Sequence, residues 1–166
     1  FETFYRGGSP QEQRSYQNGK LHGLVVKFAE DGEKLSEFTY YLGQRRGKYS
    51  KWNRGGQPVE EGTFYNNAKH GTITQFYRTG IPRSTTEYLN GKKHGKFKEF
   101  AENGQIKTIG SYKADKEHGR WQTFARTGQV RSVGQYQDGK KEGLWIEYDR
   151  FGRIERSQQF QNNRIV

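Results

Sequence analysis

The stretch from Tyr88 to Gly104, YLNGKKHGKFKEFAENG, contains an Asn-Gly pair, a His-Gly pair and a turn that ends in glycine. Two of these glycines belong to series that return every 24 residues without a shift of register. One series is Gly8, Gly32, Gly56, Gly80, Gly104, Gly128 and Gly152. The other is Gly23, Gly47, Gly71, Gly95, Gly119 and Gly143. A fixed period of this size is typical of repeat proteins, so the repeat decides the architecture.

Aromatic residues keep the same period between the glycines. One aromatic series is Phe4, Phe28, Trp52, Phe76, Phe100, Phe124 and Tyr148. The other is Tyr16, Tyr40, Phe64, Tyr88, Tyr112, Tyr136 and Phe160. Aromatic and β-branched residues in runs of roughly five to eight indicate β-strands. A helix is excluded because Gly, Asn or Asp interrupts the chain about every ten residues.

Each repeat is predicted to contain two tight turns. The first turn has glycine in every copy, which suits a hairpin residue with positive φ. The second turn is Asn-Gly or Asp-Gly in three copies, and where its glycine is missing the residue is Asn67, Asp115 or Asn163. Asn and Asp tolerate positive φ best after glycine. We therefore predict an all-β fold: an elongated, single-layer antiparallel meander or solenoid of about seven 24-residue β-hairpin repeats, forming one continuous array over residues 1–166.

The composition supports an open sheet in place of a conventional two-layer core. Hydrophobic residues make up only 30% of the chain, aromatic residues make up 15%, and the mean hydropathy is -1.20. A sheet stabilised by contacts between neighbouring repeats can tolerate this polarity. Gly62, Gly110 and Gly134 lie two residues before aromatic residues of the second series. We hypothesise that flanking rings cover the bare backbone at these three glycines.

The sequence offers no constellation for catalysis or for metal binding. His22, His70, His94 and His118 share one repeat position, so neighbouring copies lie about 10 Å apart, too far to ligate one ion. The chain has no cysteine, and its serines recur without a histidine in local register. We therefore predict that the protein is not an enzyme and has no cofactor, and that the histidines bond to the backbone of neighbouring loops.

Positive charge is concentrated at the turns. Lys and Arg number 29 against 18 Asp and Glu, a net charge of +11. The first turns carry Arg6, Arg54, Arg78, Arg126 and Arg150, and the second turns carry Lys20, Lys92, Lys93, Lys116, Lys140 and Lys141. Two explanations stay open: these residues bind an acidic partner, or they keep an open sheet soluble and discourage association of its edges.

The motif Tyr-x-x-Gly-Lys-x-His-Gly resembles the MORN repeat. It occurs from Tyr88 to Gly95 and around Tyr16 to Gly23. The turn from Glu102 to Ile106 is similar to the bacterial variant of that repeat, found in the YwqK family of antitoxins. This resemblance implies an elongated β-hairpin array with a toxin-neutralising or immunity role in bacteria. For related eukaryotic arrays it implies protein scaffolding or contact with anionic lipid.

We predict a non-catalytic binding protein, an antitoxin or immunity protein that neutralises a bacterial toxin or effector by steric occlusion. The alternative is a scaffold or membrane-surface module that binds anionic lipid through its basic turns, for which Phe151 and Ile81 are the exposed apolar candidates. Nucleic acid is the least favoured partner, because packing already explains the periodic aromatics. The predicted partner-binding residues are the five first-turn arginines with Tyr5, Tyr77, Arg45 and Arg46.

The compartment stays open between the bacterial cytoplasm and the periplasm. The chain starts at Phe1 without a methionine. This start indicates either a fragment or a processed protein whose leader has been removed.

Overall fold

A computed structural model describes residues 1–166, and every regular element in it is a β-strand. The strands are β1 (Glu2–Phe4), β2 (Pro10–Gln17), β3 (Lys20–Phe28), β4 (Lys34–Tyr41), β5 (Gln44–Trp52), β6 (Pro58–Tyr65), β7 (Ala68–Lys69), β8 (Gly71–Phe76), β9 (Pro82–Leu89), β10 (Lys92–Phe100), β11 (Ile106–Lys113), β12 (Lys116–Glu117), β13 (Gly119–Phe124), β14 (Val130–Gln137), β15 (Lys140–Tyr148), β16 (Ile154–Gln161) and β17 (Arg164–Ile165). The predicted all-β fold of antiparallel repeat hairpins is confirmed.

The chain divides into two compact units. The first comprises Phe1–Ile81 and Leu89–Gly91, and the second comprises Pro82–Tyr88 and Lys92–Val166. In the first unit β1 to β6 pair in chain order, and β7 and β8 both pair with β6. In the second unit β9 pairs with β10, and the later strands again pair with their neighbours in the chain. Each unit is therefore an antiparallel meander.

The first turn of the repeat closes a hairpin with the same hydrogen bonds in all seven copies. At the first copy, the Gly8 N–H donates to the Tyr5 carbonyl over 2.9 Å, and the Tyr5 N–H donates to the Ser9 carbonyl over 2.9 Å. Gly8 has a φ of 86°, and the strand register shifts just before the turn, at Phe4. This pattern is a type I turn followed by a left-handed residue, so the predicted role of the first glycine series is confirmed.

The second turn is a two-residue turn with positive φ at both positions. Asn67, Asp115 and Asn163, which replace glycine, have φ values of 65°, 71° and 70°, as predicted. Each also contacts the preceding repeat. The Asn67 N–H donates to the Arg45 carbonyl over 3.0 Å, and the Asn67 Oδ1 accepts the Arg45 N–H over 2.8 Å. The side chain therefore adds a hydrogen bond between repeats that glycine cannot make.

The rings of the sheet gather on one face of each unit, which we call the ring face. In the first unit Tyr49 is 2% exposed and lies between Phe38 and Phe64, with ring centroids 5.4 Å and 4.7 Å away. In the second unit a continuous line of ring contacts joins Phe97, Tyr112, Trp121, Tyr136, Trp145 and Phe160. Edge-to-face and offset ring pairs of this kind stabilise a sheet beyond their buried area.

Bare backbone under the rings makes this packing possible. A Cβ atom at Gly110 would overlap the indole of Trp121, and one at Gly134 would overlap the indole of Trp145. The hypothesis that rings cover these two glycines is confirmed. At Gly62 it is wrong, because the covering side chain is the aliphatic Ile73, which is 1% exposed.

A buried carboxylate completes the ring face of the first unit. The Glu60 Oε1 accepts the Tyr49 hydroxyl over 2.9 Å, and its Oε2 accepts the Lys69 Nζ over 2.8 Å and the Gln75 amide over 3.3 Å. Burial raises the pKa of Glu60, but the hydrogen bonds from Lys69 and Tyr49 outweigh burial and lower that pKa to about 2. Glu60 is therefore ionised and fully bonded in the folded state.

We expect Gly110→Ala to lower the free energy of unfolding of the second unit by about 2 kcal/mol, because the new methyl group forces the Trp121 indole out of place. Gly7→Ala is the matched control: neither glycine has a positive φ, and a Cβ at Gly7 meets no atom within 4 Å. The control should change the free energy by less than about 0.5 kcal/mol. Urea unfolding followed by tryptophan fluorescence measures both. Equal effects of the two substitutions would contradict the proposed packing.

We expect Glu60→Gln to destabilise the first unit by about 2 kcal/mol at neutral pH, since it removes the negative charge that pairs with the ammonium groups of Lys69 and Lys51. Because folding depresses the pKa of Glu60 from 4.5 to about 2, its stabilisation is complete above pH 4.5 and is lost as the pH falls through 2. The difference between the wild type and the variant should therefore shrink across this window. Thermal unfolding at a series of pH values tests this, with the exposed neighbour Glu61→Gln as control. A pH-independent difference would contradict it.

Candidate binding surface

The predicted first-turn arginines lie at exposed hairpin tips. Arg6, Arg54 and Arg78 are exposed in the first unit, and Arg126 and Arg150 are exposed in the second. The turn places this side chain at the second position of a type I turn, where it projects away from both strands. Glu30 and Glu102 occupy the same position in the other two turns and are also exposed. The tips of each unit are therefore mainly, but not uniformly, basic.

The two tyrosines predicted as contact residues, Tyr5 and Tyr77, occupy the first position of their turns and are half-buried. The Tyr5 hydroxyl donates a hydrogen bond of 2.8 Å to the carbonyl of Phe28 in the next repeat. Tyr5 therefore joins neighbouring hairpins beneath the tip of Arg6. Its hydroxyl is already bonded, so only the half-buried ring of Tyr5 is left to contact a partner.

The second-turn lysines fall into two groups. Those that project into solvent are Lys20, Lys92, Lys116 and Lys140. Lys93 and Lys141 are half-buried on the ring face. The Lys93 Nζ lies 4.7 Å from the centre of the Tyr112 ring, and the Lys141 Nζ lies 4.4 Å from the centre of the Trp145 ring. Cation–π contacts of this kind hold part of the basic charge against the sheet.

Arg45 takes the same position as Lys93 and Lys141 in its own repeat. Its guanidinium carbon lies 4.6 Å from the centre of the Phe38 ring and 5.5 Å from that of the Phe64 ring. Its Nε donates to the Tyr40 hydroxyl over 3.1 Å. Arg45 is half-buried, so this predicted contact residue covers the aromatic cluster of the first unit.

Arg46 points to the opposite face, because successive side chains of a strand alternate. Its guanidinium carbon lies 5.4 Å from the centre of the Tyr41 ring and 5.1 Å from the centre of the Tyr65 ring. We call Tyr41, Arg46 and Tyr65 the arginine sandwich. Tyr41 is 49% exposed and Tyr65 is 45% exposed. The structure thus places the two adjacent arginines in different roles, one against the core and one on an open surface.

Histidines flank the arginine sandwich. The His22 ring lies 5.2 Å from the Tyr41 ring, and the His70 ring lies 5.8 Å from the Tyr65 ring. The Nδ1 atoms of His22, His70 and His118 are buried and make no hydrogen bond. The prediction that the histidines bond to neighbouring backbone is therefore wrong for this atom. At His70 and His118 the backbone N–H donates instead to the carbonyls of Thr63 and Ser111 in the adjacent strands.

Sequence reasoning missed Tyr41 and Tyr65 as surface residues. Each directly follows a residue of the second aromatic series, so strand alternation places it on the opposite face from that series. The alternation of side chains along the predicted strands could therefore have identified both tyrosines as surface residues. The 24-residue period could not, because the other copies of this position are Gln17, Leu89, Lys113, Gln137 and Gln161.

Shallow grooves are the concave features of both units. One, of about 560 Å³, lies in the second unit and is lined by residues that include Ile106, Phe124, Arg126 and Arg131. No three His, Cys, Asp or Glu side chains come together in a way that could hold a metal ion. No helix long and apolar enough to cross a membrane is present.

Among solved structures, the chain is similar to a mutant of TarM from S. aureus in complex with fondaparinux, α-GlcNAc-glycerol and UDP. That match has 12% identity, covers 65% of this chain and 21% of that chain, and has a TM-score of 0.40. The chain therefore spans about a fifth of that protein's length. A protein of unknown function from Bacteroides fragilis matches at 9% identity, with 92% of each chain covered and a TM-score of 0.17. Neither similarity is close enough to carry an argument. No curated protein matches the chain significantly.

A family model gives the more specific result. The MORN repeat variant matches three consecutive segments, residues 69–90, 93–114 and 117–138. Each matched segment begins one residue before a His-Gly pair and contains one first turn of the sheet. These three matches support MORN-variant repeats within residues 69–138 of the chain.

Proposed function

We propose that this protein is a non-catalytic binding protein that acts as a bacterial antitoxin or immunity protein, neutralising a toxin or effector by covering its active surface. MORN repeats generally mediate binding to proteins or membrane lipids. The observation that carries the choice of a protein partner is the set of first-turn arginines. Arg6, Arg54, Arg78 and Arg126 are exposed and make no ion pair with the chain's own carboxylates.

Hairpin tips of this kind suit occlusion of an acidic surface. Arginine is enriched at protein interfaces because its planar guanidinium forms paired hydrogen bonds with carboxylates. Unpaired arginines at the tips steer an acidic partner toward the protein before contact. The bound hairpins then block access to the covered surface without any chemistry. Within this proposal the protein acts in the bacterial cytoplasm or periplasm and needs no cofactor.

We expect the variant Arg54→Glu, Arg78→Glu, Arg126→Glu to bind the toxin at least about a hundredfold more weakly than the wild type, mainly through slower association, because each reversal turns an attraction into a repulsion. The toxin for this experiment is chosen by two criteria: its gene lies next to the gene for this chain, and it arrests growth when expressed alone. Growth rescue on co-expression tests neutralisation, and surface plasmon resonance at two salt concentrations measures the rates.

The control is Lys20→Glu, Lys92→Glu, Lys116→Glu, which makes the same charge change at exposed second turns. It should keep most of the affinity. Equal binding by the wild type and the arginine variant would refute the electrostatic part of the proposal. Absence of any protein that the chain neutralises would refute the antitoxin role.

One observation favours contact with anionic lipid as a second candidate function. Phe151 is 63% exposed at the tip of the first turn in the last repeat. The guanidinium carbons of Arg150 and Arg153 lie 4.7 Å and 5.0 Å from the centre of its ring. Ile154, three residues further along the chain, is also 63% exposed. An exposed ring between two cations suits the interface of an anionic membrane. Ile81, the other apolar candidate, is half-buried.

If this tip binds lipid, the protein should co-sediment with vesicles that contain phosphatidylserine and not with phosphatidylcholine vesicles. Phe151→Ser should reduce the bound fraction several-fold, because the ring supplies the apolar part of the contact, roughly 2 kcal/mol. The control is Leu144→Ser, which removes an apolar side chain that is 53% exposed on a strand and not at a tip. Binding that is insensitive to lipid charge or to Phe151 would contradict this candidate.

A further inference from the structure

The arginine sandwich is an exposed charged feature of the first unit that stands apart from the hairpin tips. Arg46 lies on β5 between Tyr41 on β4 and Tyr65 on β6, two strands that both pair with β5. The guanidinium contacts both rings and makes no hydrogen bond or ion pair with the chain. A cation that two aromatic rings hold in place is fixed in direction while its N–H groups stay free for another acceptor.

The strand order determines what the arginine sandwich can offer to a partner. His22 lies on β3, the neighbour of β4, and contacts Tyr41 from the side opposite to Arg46. His70 lies between β7 and β8, both neighbours of β6, and contacts Tyr65 from its far side. Each tyrosine therefore has Arg46 on one side and a histidine on the other in the strand order, while Tyr41 and Tyr65 stay 49% and 45% exposed. A nucleic-acid base, which binds by stacking on an open ring face, would have to compete with these neighbours for the ring.

Hydrogen-bond donors remain exposed at the edges of the row. They are the N–H groups of Arg46 and the hydroxyls of Tyr41 and Tyr65. Two parallel N–H groups of a guanidinium fit the two oxygens of a carboxylate, and this pairing is among the strongest hydrogen-bonded contacts in proteins. Because the rings already fix the side chain, binding loses little rotamer entropy. The donor set therefore fits a carboxylate.

A trough of about 280 Å³ adjoins the arginine sandwich on the same face. Its side chains continue the strands of the sandwich: Lys48 and Ser50 follow Arg46 along β5, and Thr63 precedes Tyr65 along β6. Hydroxyl groups both donate and accept hydrogen bonds, so they suit the backbone of an extended peptide. Glu61 also lines the trough. The trough therefore carries this negative charge together with the positive charge of Lys48, so it suits a segment with separated carboxylates better than a dense polyanion such as a nucleic acid or a lipid surface.

From these observations we infer that the arginine sandwich and its trough bind an extended acidic segment of a protein partner, with an Asp or Glu carboxylate paired to Arg46. The inference deepens the proposed function, on which it rests, by naming a second contact region and the chemistry that it recognises. The first-turn arginines attract the acidic surface of the partner toward the protein. The arginine sandwich then binds one carboxylate at a defined place on that partner.

The test uses a short fluorescein-labelled peptide that alternates glutamate with serine and is blocked at both ends. A second peptide carries glutamine in place of glutamate. Fluorescence anisotropy should show binding of the first peptide and at least about tenfold weaker binding of the second, the size expected for a charge-assisted hydrogen bond. Arg46→Gln should weaken binding of the glutamate peptide about tenfold, and Arg46→Lys should weaken it about threefold or more, since lysine keeps the charge but loses the paired N–H groups.

The matched control is Arg156→Gln, which removes the same charge from an exposed arginine on β16. It should change the affinity by less than about twofold. Tyr41→Phe together with Tyr65→Phe keeps the rings but removes the hydroxyls, and should weaken binding by an intermediate amount. Thermal unfolding of each variant shows whether the first unit stays folded.

Several outcomes would overturn the inference. They are equal binding of the two peptides, equal effects of Arg46→Gln and Arg156→Gln, or Arg46-dependent binding of a single-stranded oligonucleotide or an anionic vesicle in place of the peptide. If the chain neutralises a toxin through its first-turn arginines but shows no Arg46-dependent peptide binding, this inference alone fails. If the peptide binding depends on Arg46 but no toxin is neutralised, the antitoxin role alone fails.

Discussion

Packing of large side chains over bare backbone is the interaction on which both units depend. A chain with 30% hydrophobic residues cannot bury a thick core, so each repeat gains its stability from its neighbours. Trp121 over Gly110 and Trp145 over Gly134 show how this is achieved. The indole lies flat only because the opposing residue has no side chain, and it then reaches the rings of the adjacent strands. The glycines are therefore part of the packing and not only of the turns.

The turns also join each repeat to its neighbours, at the ends of the strands. The first turns keep glycine without exception, because this residue has a left-handed backbone conformation that strains any side chain. In most copies a side chain there would also gain no contact to offset that strain. At the same position the second turns have glycine in four copies and Asn or Asp in three. Where Asn67 replaces glycine, its side chain binds the Arg45 N–H of the preceding repeat, so the conformational cost of a left-handed residue is offset by a hydrogen bond between repeats. The left-handed position of the second turn is therefore filled either by glycine, which is not strained there, or by a residue whose side chain bonds to the preceding repeat.

Much of the fold could be predicted from the sequence, because turns and ring positions are periodic and the requirement for positive φ is local. The site was less predictable. A search for the 24-residue period detects what all copies share, whereas Tyr41 and Tyr65 occur in only two copies. The ring face was also incompletely predicted. The repeat position of Tyr49 and Trp121 holds Val25 or Ile73 in other repeats. Because this third core series mixes aliphatic and aromatic residues, a search for periodic aromatic residues does not detect it. Strand alternation identifies both features once the strands are known.

The net charge of +11 overstates the charge that a partner meets. Arg45, Lys93 and Lys141 lie against rings, where they shield the aromatic face from water and strengthen the packing. The other arginines do not cover the ring face: the first-turn arginines project from hairpin tips, where Arg150 lies beside the exposed Phe151 ring, and Arg46 lies between two exposed rings on the opposite face. Recognition by such a surface depends on where the free cations stand and not on their number. A repeat scaffold can therefore acquire a specific partner by changing a few positions outside the repeat pattern while the glycines and rings stay constant.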